Sequence, residues 1–235
     1  MSQTANVSST ASLIADPARM SILTALLDGR ALPAGELAYA AGITAQTASS
    51  HLGKLLDGGL LALETAGRHR YYRLAGGHVS HAIEALAVIQ PTGPVRRKAP
   101  TAQASALRNA RCCYDHLAGR LGVALTNALR ERRYIIDAPE QRFAVTAAGT
   151  TWFAGIGLDV PAIKATRRGL ARPCLDWTER SHHLAGPLGV RLLCTMCGHG
   201  WLRRVPGSRA VQATPKGQAA LKSQLGITDA DWRCD

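Results

Sequence analysis

The sequence predicts a mainly α-helical protein with small β-hairpins (α+β class). It reads as a winged helix-turn-helix domain followed by two repeated units, each taken as a reduced winged-helix-like fold. Three observations predict this. A helix with one apolar and one uncharged polar face follows a shorter helix across a glycine turn. A basic-tipped hairpin comes directly after it, and beyond residue 104 one block of sequence occurs twice. The expected boundaries are 12–90 for the first domain, 91–104 for a linker, and 105–165 and 166–235 for the two repeats.

The opening MSQTANVSST is polar and reads as a frayed start, with an apolar pattern from Ala11 to Ile14 that Asp16-Pro17 interrupts. Asp at an N-cap with Pro at the first helical position is a strong helix start. The helix that follows carries Met20, Ile22, Leu23, Leu26 and Leu27 toward a core and ends at Gly29. Pro33 opens a short helix, AGELAYAAG, that stops at Gly42; Thr44 caps the next, and Gly58-Gly59 ends it.

On a 100° wheel, Ala45, Ala48, Leu52, Leu55 and Leu56 gather on one side of that helix, and Gln46, Thr47, Ser50 and Lys54 on the other. A merely solvated face would be heavier in Glu, Lys and Arg. Short polar groups with a cation further along suit base edges followed by a phosphate. The candidate DNA contacts on this helix are Gln46, Thr47, Ser49, Ser50, His51 and Lys54, with His51 equally suited to a phosphate or to packing. Leu61, Leu63 and Thr65 then alternate, Ala66-Gly67 turns, and His69 to Leu74 returns as a hairpin. Its tip carries Arg68, His69 and Arg70, residues suited to DNA backbone or minor-groove contact. Val79, Ile83, Leu86 and Ile89 give a following helix with an apolar stripe suited to a partner helix.

From about Ser12 to Gln90 the chain resembles the ArsR/SmtB family of bacterial winged-helix repressors. The resemblance rests on the element order, LIADPARMSILTALLDG, the T-x-x-T-x-S-x-HL-x-x-L pattern at Thr44 to Leu55, and the GRHRYYRL wing. It implies a homodimer with reading helices in successive major grooves of an operator, released by an effector. One departure matters. Metal-sensing members often carry a Cys pair in the helix before the reading helix, whereas here that helix is PAGELAYAAG and residues 1–90 contain no Cys.

The chain has 235 residues and a formal net charge of +12, which points to an anionic partner. Residues 1–90 hold six basic side chains (Arg19, Arg30, Lys54, Arg68, Arg70, Arg73) and six acidic ones, so the excess falls entirely after them. The clusters at 96–98, 130–133, 167–168 and 203–204 supply much of it, and are read as solvated faces or as added phosphate contacts. No apolar run approaches a membrane span and no secretory leader is visible, so the expectation is a cytoplasmic protein with no membrane partner. Six Cys are too few for a disulfide scaffold and are expected as thiols. HExxH, P-loop, G-x-S-x-G and dinucleotide-binding patterns are all missing, so an enzyme is not expected. A thiol oxidoreductase using Cys194 and Cys197 and a non-specific architectural DNA protein are the rival readings.

After the Pro- and Thr-rich linker, ARCCYDHLAGRLGVAL aligns with ARPCLDW and HHLAGPLGVRL once an insertion of TERS is allowed. The alignment pairs Cys113 with Cys174, Asp115 with Asp176, His116 with His183 and Tyr134 with Trp201. Each copy is expected to run helix, strand pair, helix, with the aspartates as helix caps and the histidines as their buried partners. The alternative is a pseudo-symmetric effector pocket lined by Cys113, Tyr114, His116, Cys174, Trp177 and His183. A separate metal candidate is Cys194 and Cys197, at i and i+3, with His199, or with Cys174, His182 and His183, as further ligands. The bland alternative is that these thiols only fill space. A thiophilic metal or metalloid, an oxidant and a small organic molecule all remain open as effector.

Overall fold

The computed structural model describes residues 3–27, 29–89, 102–206 and 208–233. The chain divides into two compact units, residues 1–83 and 84–235.

The first unit runs α1 (Gln3–Ile14), α2 (Pro17–Ala25), β1 (Leu32–Pro33), α3 (Ala34–Ala41), α4 (Ala45–Asp57), β2 (Leu61–Ala66) and β3 (His69–Leu74), and α5 (Gly77–Ile89) carries the chain out of it. The start expected to fray is helical from Gln3; its run of Ser, Thr and Asn gives no apolar period from which to read a helix. The Asp16 carboxylate accepts from the Arg19 amide at 2.8 Å, which caps α2 as its sequence demands. Ile22, Leu23, Leu26, Leu37, Ala48, Leu52, Leu55 and Leu74 form the core. At about 1.5–3 kcal/mol for each fully buried large side chain, Leu52 and Leu55 alone are enough to fix which face of α4 turns inward. Strands β1, β3 and β2 make an antiparallel sheet in that order, with Leu61 opposite Leu74 and Ala66 opposite His69, so the hairpin turns on Gly67 and Arg68.

The predicted linker lies outside the described residues from 90 to 101, and α6 (Ala102–Asn109) begins within its expected end. The second unit then runs β4 (Arg111–Cys113), β5 (His116–Ala118), α7 (Gly119–Glu131), β6 (Ile135–Ala138), β7 (Arg142–Val145) and α8 (Ala147–Gly155). The same order follows in β8 (Arg172–Leu175), β9 (His182–Ala185), α9 (Pro187–Gly198), β10 (Leu202–Arg204), β11 (Val211–Ala213) and α10 (Pro215–Leu225). This corrects the expected helix, strand pair, helix: ARCCYDHLAG is a hairpin, and the helix starts only at Gly119. Cys113, Leu117, Leu121 and Leu125 are spaced by four and imitate a helical stripe. Tyr114, at φ 59°, instead reverses the chain one residue after Cys113.

The two hairpins and their helices interlock, β9 packing on α7 and β5 on α9. Two helical glycines permit this. A Cβ at Gly122 would sit 2.7 Å from the Leu117 carbonyl oxygen, and one at Gly189 would sit 2.5 Å from that of Leu184. His183 lies just beyond the first and His116 just beyond the second.

Asp176 fastens the arrangement. Its carboxylate accepts from Arg111 (2.7 Å), from the Gly119 amide that opens α7 (2.7 Å) and from the Thr178 hydroxyl (2.7 Å). Asp176 thus does serve a helix N-terminus, but that of α7 rather than its own half's helix, while Asp115 bonds its neighbour His116. Burial pushes the Asp176 carboxyl up, and His183, Arg111 and Thr178 outweigh it, holding the group far below the usual carboxylate range. Arg111 and Asp176 are both fully buried. Removing one partner, as in Asp176→Ala, is expected to cost about 3–5 kcal/mol in urea unfolding followed by tryptophan fluorescence, and a loss below about 1 kcal/mol would contradict this role.

Candidate DNA interface and a buried cysteine-histidine cluster

The polar face of α4 is presented as the sequence implies. Gln46, Thr47, Ser49, Ser50 and Lys54 are exposed, while Ala48, Leu52 and Leu55 are buried; Ala45 is exposed and Leu56 half-buried. The Thr44 hydroxyl accepts from the Thr47 amide at 3.2 Å and contacts its hydroxyl at 2.9 Å, setting the helix start. Ser49 returns its hydroxyl proton to the Ala45 carbonyl (3.0 Å), so it offers an acceptor outward. His51 is half-buried with Nδ1 enclosed and unpartnered, which places it nearer to packing than to a free phosphate donor. Arg68, His69 and Arg70 are exposed at the wing, whereas Arg73 pairs with Glu64 across the hairpin.

Four residues of the expected effector pocket meet in the second unit. Cross-strand pairing sets Cys113 beside His116 in β4–β5 and Cys174 beside His183 in β8–β9. The two pairs face each other with one ligand atom from each residue, all lying within 4.8 Å of one another. The sulfurs are 4.0 Å apart and the two imidazole Nε2 atoms 3.1 Å apart. Both rings turn their other nitrogen to a carboxylate: His116 Nδ1 lies 2.8 Å from Asp115, and His183 Nδ1 lies 3.4 Å from Asp176. All four side chains are buried.

Burial would lower His183, but Asp176 and Cys174 raise it to about 9. The Cys174 contact, burial and the Glu84 carboxylate together raise the Cys113 thiol well above its ordinary range. Glu84 Oε2 stands 2.6 Å from Cys113 Sγ and lies on α5, the helix by which the chain passes from the first unit to the second.

The other two predicted pocket residues stand apart from this cluster. Tyr114 occupies the hairpin turn, and the Arg111 guanidinium lies 5.1 Å over the partly exposed Trp177 ring. The cluster is closed rather than a pocket. An open cavity of about 460 Å³ lies elsewhere in the same unit, bordered by Arg120, Asn127, Glu131 and Glu179, with none of the six residues in its wall.

Cys194, Cys197 and His199 are not joined in the same way. Cys194 faces solvent, Cys197 packs against the core, and His199 Nε2 lies 2.8 Å from the Ile156 carbonyl oxygen. Among the described residues, Cys113, His116, Cys174 and His183 are the one group of three or more metal-ligating side chains gathered around a point. His182, the neighbour offered as an alternative ligand, is exposed. The sequence repeat contained the signal for the cluster: both Cys and both His fall at equivalent positions.

A family profile described as a helix-turn-helix domain matches residues 14–64. The uncharacterized HTH-type transcriptional regulator YdfF of Bacillus subtilis is 43% identical over 222 residues, covering 94% of this chain and 98% of its own. The HTH-type transcriptional regulator CmtR of Mycobacterium tuberculosis is 42% identical over 73 residues, which are 31% of this chain and 61% of that protein. Among solved structures, the homodimeric winged helix-turn-helix DNA-binding domain of a possible ArsR-family regulator from Mycobacterium bovis is 30% identical. It covers 37% of this chain and 79% of that one, with a TM-score of 0.34. No helix among the described residues is long and apolar enough to cross a membrane.

Replacing the α4 cap, Thr44→Ala, is expected to cost about 1 kcal/mol and to speed hydrogen exchange at the Thr47 amide. Unchanged exchange there would show that the helix start does not depend on the cap.

Proposed function

The chain belongs to the HTH-type transcriptional regulators, and from that premise we propose a homodimeric, sequence-specific repressor of the ArsR/SmtB type, released when an effector binds the second unit. The observation that carries this is the exposed, uncharged polar face of α4 beside an exposed Arg68–Arg70 wing tip. Gln46 supplies a bidentate partner for an adenine edge, Thr47 a methyl for thymine, and Lys54, Arg68 and Arg70 meet phosphates. Leu86 and Ile89 on α5, 45% and 76% exposed, support a partner helix at that face. The exposed Arg133, Arg167, Arg168, Arg203 and Arg204 of the second unit are available for phosphate contacts that add affinity without reading sequence.

The effector belongs to the second unit because the cysteines and histidines gathered at one point are there. The protein acts by binding, with no catalytic step of its own, in the cytoplasm where its DNA lies. Binding at the cluster must favour one dimer geometry over another to change operator affinity.

DNase footprinting of the protein on the DNA upstream of its own gene is expected to protect one palindrome. Gln46→Ala is expected to lose about 1–3 kcal/mol of discrimination at one base step. Arg68→Ala with Arg70→Ala is expected to weaken binding to all sequences alike. The slope of log affinity against log salt should flatten by about 0.9 for each phosphate that is no longer neutralised. Protection spread evenly along the DNA would instead make the protein an architectural DNA binder.

A further inference from the structure

We propose that Cys113, His116, Cys174 and His183 form a tetrahedral Cys2His2 site for a divalent zinc-class ion, closed by the meeting of the two hairpins of the second unit. The inference deepens the effector reading above but rests on the geometry of this unit alone.

The sulfur–sulfur and nitrogen–nitrogen distances fit, and all four donor atoms lie within 4.8 Å of one another. A tetrahedral ion with Zn–S of about 2.3 Å and Zn–N of about 2.0–2.1 Å requires its sulfurs about 3.8 Å apart and its nitrogens about 3.3 Å apart. The separations here are 4.0 Å between the sulfurs and 3.1 Å between the nitrogens. The orientation fits as well. His116 Nδ1 is hydrogen-bonded to Asp115 at 2.8 Å, which favours the tautomer with its lone pair on Nε2, and His183 Nδ1 lies 3.4 Å from the Asp176 carboxylate, which turns its Nε2 the same way. Both Nε2 atoms then converge at 3.1 Å on one point, where a shared proton bridges them until a metal ion takes its place.

The charge also balances. Two thiolates neutralise a divalent ion, so the filled site adds no net charge to a fully enclosed position. The thiol protons of Cys113 and Cys174 leave to solvent, and Arg209, 3.7 Å from Glu84, offsets the carboxylate left facing the Cys113 sulfur. Two sulfurs and two imidazoles in a tetrahedron select zinc over oxygen-seeking ions. Four protein ligands with no open position mark a structural or regulatory metal rather than a catalytic one.

The first test uses the full chain carrying Cys194→Ser and Cys197→Ser, at positions outside the cluster, loaded with zinc and freed of excess. One zinc per chain by elemental analysis, with two sulfur and two nitrogen neighbours by X-ray absorption, is the expected result. Cobalt in its place should give the intense visible bands of a tetrahedral ion together with thiolate charge transfer. Asp115→Asn, which leaves all four ligands in place, is expected to weaken zinc binding by about 10–100-fold.

Loss of metal on removal of Cys194 and Cys197 would overturn the proposal, as would a wild-type chain that binds neither zinc nor cobalt, its two imidazoles then sharing a proton. These readouts do not involve DNA. A protein that binds zinc here yet holds its operator unchanged would refute the effector reading and leave the site standing.

Discussion

The buried pair of Arg111 and Asp176 is the constraint on which the second unit depends. Two opposite charges taken fully out of water gain little net stability from their attraction alone, since desolvation offsets most of it. What they fix is register. Arg111 opens β4 in the first half and Asp176 directly follows β8 in the second, and the same carboxylate holds the first amide of α7. One side chain therefore sets a hairpin of one half against a hairpin and a helix of the other. The meeting of Cys113 and His116 with Cys174 and His183 follows from that register, and His183 Nδ1 faces the same carboxylate.

Much of the first unit was legible because its signals are local. Asp16-Pro17, Thr44 and Gly42 act within a turn of helix, and each does in the structure what its chemistry requires. The amphipathic α4 was legible for the same reason, apart from Ala45, which lies at the exposed helix start. The second unit was read less well because its decisive contacts are long-range. Nothing near Cys113 in the sequence shows that its partner is Cys174, 61 residues away, except that the repeat places them at equivalent positions. The Cys194-x-x-Cys197 spacing was conspicuous because it is local. It gathers no further ligand, since His199 is engaged by the Ile156 carbonyl and Cys194 turns to solvent. The four-residue spacing from Cys113 to Leu125 imitated a helix across what the positive φ at Tyr114 makes a turn.

In the proposed regulator, recognition and sensing would belong to separate compact units. Glu84 at the start of the second unit contacts Cys113, so an ion in the proposed site would change the partner of a group next to the unit boundary. Coupling of this kind is reciprocal: an ion that weakens DNA binding must itself bind less tightly to the DNA-bound protein. On the proposed reading, the basic second unit would add affinity for nucleic acid in general and the uncharged face of α4 would supply the preference.

The most direct measurement is the operator dissociation constant of the full chain by fluorescence anisotropy, metal-free and zinc-loaded, at one fixed ionic strength. Weakening by about 5–150-fold on zinc loading, the usual range for coupling between two sites, is the predicted result. Equal affinity in the two states, with one zinc per chain held at the cluster, would contradict the link between the site and the DNA.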